Sequence, residues 1–156
     1  MSAYKSSNYT SNQSYQGGGP RFSGDRTQPR GESEYTPKAM PLSSDYVVKA
    51  EEIMRECHRY ITSSKLRNIL SMVSDIYNSE RIGEDELSEA SQNALRMLQI
   101  RIVYEYGRND DKFKSFIRET HILDHLLSVG SSRRKFIDYA HYLEAIVAYH
   151  KFYGDK

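Results

Sequence analysis

The stretch Thr62-Ser63-Ser64-Lys65-Leu66-Arg67-Asn68-Ile69-Leu70-Ser71-Met72-Val73-Ser74-Asp75-Ile76-Tyr77-Asn78 decides the fold. Leu66, Ile69, Leu70, Val73, Ile76 and Tyr77 recur at intervals of three and four, which gathers them on one face of a helix. Thr62 supplies a hydroxyl that can accept from the first-turn amides. Lys65, Arg67, Asn68, Ser71 and Ser74 form the outer face.

The same period continues on both sides. Upstream, the Ser43-Ser44-Asp45 cluster caps a first helix over about 44–60, with Val47, Ala50, Ile53, Met54 and Cys57 on one stripe. Downstream, the acidic stretch Ser79 to Glu89 leads into a third helix that runs to about Tyr106. Its carboxylates suit the positive end of the helix dipole and should repel nucleic acid. Leu95, Leu98, Ile102 and Tyr106 line one side of this helix, flanked by Met97, Ile100, Val103 and Tyr104. An element apolar over most of its circumference is expected at the centre of the bundle or against another chain. Gly107 is expected to end it in a left-handed conformation, and Asn109-Asp110 to cap the next. A fourth helix puts Phe113, Phe116, Ile117, Thr120, Leu123 and Leu127 inward as far as Gly130. A fifth begins at Ser131-Ser132 and carries Phe136, Ala140, Leu143, Val147 and His150 on one side. Residues 44–156 contain no proline, and the reading is an all-α, compact bundle of about five helices.

Residues 1–43 differ in kind. Pro20, Pro29, Pro37 and Pro41 all lie there, and Leu42 is its single Leu, Ile or Val. Such a segment cannot bury enough apolar surface to order itself, so it reads as a disordered Ser/Gly/Pro-rich tail. Its Arg and aromatic residues are spaced as in segments that touch single strands, although a solubilising tail is the plainer reading.

Composition narrows the functional classes. Lys and Arg number 22 against 21 Asp and Glu, so any basic surface must be local. No apolar run approaches the roughly 20 residues that span a bilayer, and no apolar centre follows Met1. The single Cys57 excludes a disulfide framework and any all-cysteine metal site. A cytoplasmic address, without membrane association, is expected.

Catalytic candidates are few. His121 and His125 have the four-residue spacing of metal-binding helices, but Ile122 stands where the zinc-protease pattern has Glu. Cys57 and His58 are sequence neighbours, about 100° apart on a helix, so the thiol cannot lean on that imidazole. Arg134 and His141 imitate the spacing of metal-independent ribonucleases of the HEPN type, as do Arg118 and His125. No phosphate loop, Ser-His-Asp set or carboxylate pair stands out. No catalytic residue, metal or cofactor is assigned.

The most informative local feature is Gly130-Ser131-Ser132-Arg133-Arg134-Lys135. Three cations in a first turn oppose the dipole by a few tenths of a kcal/mol each unless an anion arrives. Helix-end amides, two hydroxyls and three cations make a backbone-phosphate cradle. The alternative is pairing with Asp138 or with acidic residues of another helix. Arg101 and Arg108 sit near a helix C-terminus, where cations need no ligand, and Lys65 and Arg67 suit either sugar-phosphate contact or plain solvation.

Thr62-Ser63-Ser64-Lys65-Leu66-Arg67, Arg101-Ile102-Val103-Tyr104-Glu105-Tyr106-Gly107-Arg108 and the run from Phe136 through Tyr142-Leu143-Glu144-Ala145-Ile146-Val147-Ala148-Tyr149-His150-Lys151-Phe152-Tyr153-Gly154 together resemble the small subunit of the type III-A CRISPR effector, the Csm complex. The resemblance covers about residues 46–154. Val103 departs from the Ala that usually precedes the Tyr104 position. The resemblance implies a non-catalytic helical subunit that stacks in several copies beside the backbone and large subunits. It also implies contact with the backbone of guide RNA and target RNA, with Lys65, Arg67, Arg101, Arg108, Arg133, Arg134 and Lys135 as the RNA-facing candidates. The readings that compete with it are a helical protein-interaction module without RNA contact and a HEPN-type ribonuclease.

Overall fold

The computed structural model describes residues 34–108 and 110–154. Among the described residues six α-helices follow one another: α1 Tyr46–Cys57, α2 Ser63–Glu80, α3 Glu89–Gly107, α4 Asp111–Thr120, α5 Ile122–Val129 and α6 Arg133–Gly154. A short 3-10 turn, His58–Tyr60, continues α1. Among the described residues there is no strand, only an isolated antiparallel bridge between Glu86 and Ser132, and no helix is long and apolar enough to cross a membrane.

The all-α reading holds, with α2 placed where its periodicity put it and Thr62 Oγ1 accepting from the Lys65 amide. The central element is α6, which packs against α1, α2 and α5, whereas α3 lies to one side against α2, α4 and α5. The expectation of a central third helix is therefore corrected. Met97, Ile100, Val103 and Tyr104 are exposed, while Leu95, Leu98 and Ile102 are buried and Tyr106 packs half-buried against the core. Val47 is likewise exposed, off the buried stripe of Ala50, Met54 and Cys57. Gly107 does not leave α3 left-handed: Gly130 is the described glycine with a positive φ.

The expected fourth helix is two helices. His121 adopts φ 53 and ψ 26, ending α4 and opening α5 about a new axis. Imidazole is among the side chains that tolerate this left-handed region. The break leaves carbonyls that would be costly if buried unpaired. The Tyr142 hydroxyl of α6 meets one of them, donating to Thr120 O at 2.6 Å, and the Tyr139 hydroxyl donates to Ile122 O at 3.0 Å in the first turn of α5. Both rings are buried, so they fill the core and satisfy backbone at once.

The tail boundary moves as well. Residues 1–33 of the expected disordered tail lie outside the described residues, but 34–43 form a strap along α5. The buried Asp124 carboxylate accepts from the Tyr35 hydroxyl and the Lys38 amide, and Met40 N donates to Asp124 O. His125 Nδ1 lies 2.8 Å from Met40 O. Polar anchoring to a buried acid orders a segment whose aliphatic content alone would not.

Candidate nucleic-acid interface

The first turn of α2 fixes Lys65, whose ammonium sits 2.8 Å from Asp110 Oδ2 and 5.2 Å from the centroid of the Phe113 ring. Asp110 is the N-cap of α4 and accepts from the Lys112 and Phe113 amides. Hydrogen bonding from Lys65 first, then from Phe113, holds its carboxyl below the ordinary value. Lys65 therefore joins α2 to α4 at the mouth of a cleft of about 330 Å³, floored by Ile69, Ile102 and Phe113 and walled by Asn68, Ser71, Met72, Arg101 and Glu105.

On the α3 wall, Glu105 stands between two arginines, with Arg101 Nε at 3.8 Å from Oε1 and Arg108 Nη1 at 3.5 Å from Oε2. Glu105 Oε2 is buried and has no hydrogen-bond partner among the described residues, so these cations carry the compensation of its charge. Each guanidinium has five N–H donors and directs only part of them at Glu105. Lys65 and Arg101, distant in sequence, thus line one cleft, with Arg108 about two turns further along α3.

Arg67 is not with them. It points to the other flank of α2, into a small groove shared with Ser63, His150 and Lys151. A larger groove of about 630 Å³ adjoins it, walled by His58, Arg59, Thr62, Ser63, His150 and Lys151. His150 Nε2 lies 3.0 Å from Ile61 O, tying the end of α6 to the start of α2. Arg59 and Lys151 belong to this basic groove and escaped the sequence reading, because only the antiparallel packing of α2 on α6 brings them together.

The phosphate cradle expected at the start of α6 is closed. Leu87 N donates to Ser131 O, Arg133 N to Asp85 O and Lys135 N to Ser132 Oγ, so the acidic loop between α2 and α3 sits on the helix end. The Arg133 side chain donates to the carbonyls of Glu80 and Arg81. Glu80 itself is buried, and hydrogen bonds from Ser88 and Ser91, with Arg133 nearby, hold its carboxyl below the ordinary range. The stretch expected to repel nucleic acid and the cradle expected to attract it are therefore one end of the bundle. Arg134 and Lys135 remain exposed there, without an ion pair among the described residues.

The histidines occupy packed positions. His121 Nδ1 lies 2.9 Å from Asp124 Oδ2, the His121 and His125 rings meet edge-on at 6.0 Å, and burial pushes the His125 pKa down. No group of three or more His, Cys, Asp or Glu side chains that could hold a metal occurs among the described residues. His141 packs beside the Tyr77 ring. Arg118 is hydrogen-bonded to the Tyr106 hydroxyl.

A family model described as Csm2 Type III-A matches residues 42–156. A protein of Enterococcus italicus named "CRISPR system Cms protein Csm2" is 37% identical over 97 residues, covering 60% of this chain and 68% of the relative. Proteins of the same name from Streptococcus thermophilus and Mycobacterium tuberculosis are 32% and 28% identical, covering 76% and 74% of this chain and 98% and 96% of their own lengths.

Proposed function

Because the chain belongs to the type III-A Csm2 family, we propose that it serves in the cytoplasm as the non-catalytic small subunit of a type III-A CRISPR ribonucleoprotein. It stacks in several copies beside the backbone and large subunits and holds the sugar-phosphate backbone of guide and target RNA. The observation that carries this reading is the meeting of Lys65 and Arg101 across one cleft, with Arg108 extending the line along α3. Backbone contact without base selection suits an assembly whose specificity comes from pairing with the guide.

Arg67, and Arg134 with Lys135, present charge on other faces and reach the same polymer only where copies stack. Arg133 serves this function through the fold, by holding the α2–α3 loop. The exposed Ile100 and Val103, on the flank of α3 turned from the cleft and beside Tyr104, favour a contact with a protein neighbour along that flank. Crosslinking of the assembled complex to target RNA, mapped to residues, is the test. Adducts are expected at peptides carrying Lys65, Arg101 and Arg108. Adducts confined to Glu80–Glu89, or none on this subunit, would leave a protein-interaction module without RNA contact.

A further inference from the structure

We propose that Tyr104 is a stacking platform for an unpaired RNA base, with Arg101 and Arg108 holding the phosphates that flank that nucleotide. The proposal rests on the RNA-binding reading above and adds a base contact to what is there a backbone contact.

Met97, Arg101, Tyr104 and Arg108 follow one another at spacings of four, three and four, so they form a single stripe about 16 Å long on α3. The stripe is open: Met97 is 58% and Tyr104 61% exposed, and both arginines are exposed. The Arg108 guanidinium carbon lies 5.9 Å from the Tyr104 ring centroid. Glu105 braces Arg101 and Arg108 from the cleft side, which limits how far either can swing.

An exposed tyrosine here is not for want of places to put one. Tyr106, two residues on, packs its ring 5.2 Å from that of Tyr35 and accepts from Arg118 through its hydroxyl. Folding therefore covers the one ring and leaves the other in solvent, between two cations. An apolar protein surface docking on this stripe would have to strip water from both arginines while Glu105 already has an oxygen without a hydrogen bond. A single-stranded polyanion fits without that cost: its phosphates take the free guanidinium donors, and a base presents a π-face to the ring. Arg108 over the ring adds a cation–π contact that any base tolerates, so the platform binds without selecting sequence.

The test uses the full chain in the reconstituted effector assembly, with two probes: a single-stranded uridine oligonucleotide and the same backbone made abasic. Tyr104→Leu keeps apolar bulk and removes the π-face. It should weaken the base-bearing probe on the order of tenfold and leave the abasic probe unchanged, while Tyr104→Phe matches the parent. Equal affinity of Tyr104→Leu and the parent for the uridine probe would overturn the proposal. So would loss of the variant subunit from the assembly, which would make the stripe a protein contact. The paired change Arg101→Ala and Arg108→Ala, read as salt dependence, separates the two readings. A lowered slope beside a silent Tyr104→Leu sinks stacking alone, and an unchanged slope beside a clear Tyr104→Leu loss sinks the backbone reading alone.

Discussion

Arg133 and Arg134 are adjacent in sequence and opposite in employment. The first spends its guanidinium on two carbonyls at the end of α2, beside the buried Glu80, and the second ends in solvent. Hydrogen bonds from a charged donor to backbone are worth about 1.5–3 kcal/mol, and removing the donor strands the acceptors as well. Arg133→Met, which keeps the stem, is expected to cost about 2 kcal/mol in urea unfolding, whereas Arg134→Ala should stay within about 0.5 kcal/mol. A null result for Arg133→Met would mean that the α2–α3 loop is held by its backbone bridge alone. Three cations opposed to a helix dipole call for an anion, yet the first is met by two carbonyls and the other two have no ion pair among the described residues. The sequence could not show that the acceptors come from the same chain, because Glu80 and Arg81 lie some fifty residues away.

At the level of elements, what was legible was whatever local chemistry dictates. The α2 cap and period, the Asp110 cap and the core faces of α2 and α4 follow from propensity and spacing and appear as read, whereas α6 buries Tyr139, Tyr142 and Ile146 beside the expected Phe136, Ala140 and Leu143 and leaves the expected Val147 and His150 half-buried. Two features were not legible: the break at His121 and the ordering of residues 34–43. Each depends on partners remote in sequence, Tyr139 and Tyr142 for the one and Asp124 and His125 for the other. The strap should respond to acid, and the sign follows from burial. His125 is held neutral, its folded pKa below 6.5, by desolvation and the nearby His121, against the opposing pull of Met40 O and Asp124; the Tyr142 ring lies edge-on at 5.4 Å. An unfolded or released segment binds a proton at 6.5 where the folded one does not, so the contribution is complete above that value and is lost as pH falls through the lower folded pKa. Exchange of the Lys38 and Met40 amides, corrected for intrinsic rate, is expected to accelerate as pH falls below about 6.5. His125→Gln, which can donate to Met40 O without titrating, should flatten that dependence. Equal acceleration in both proteins would assign the effect to another group.

For the whole molecule, a formal charge of +1 conceals a division of cations among separate faces. Lys65, Arg101 and Arg108 border the cleft and stripe, Arg59, Arg67 and Lys151 the groove between α2 and α6, and Arg134 and Lys135 the acidic end. Lys65 and Arg67, expected together on the outer face of α2, are two residues apart on a helix and point about 160° from each other. One RNA strand lying on one copy can thus engage about three cations. Release of about 0.7 counterion per neutralised phosphate predicts a slope of log affinity on log salt near −2 for a single copy on single-stranded RNA. Lys65→Ala should raise that slope toward zero by about 0.7, and Arg134→Ala should leave it unchanged. In an assembly, each added copy contributes another cleft to the same strand, so the slope should steepen with the phosphates engaged and affinity should rise with copy number through effective concentration. Anisotropy titrations of the isolated chain and of assemblies with counted copies distinguish this from a surface in which the α6 start is the anchor. That alternative requires Arg134→Ala, and not Lys65→Ala, to move the slope.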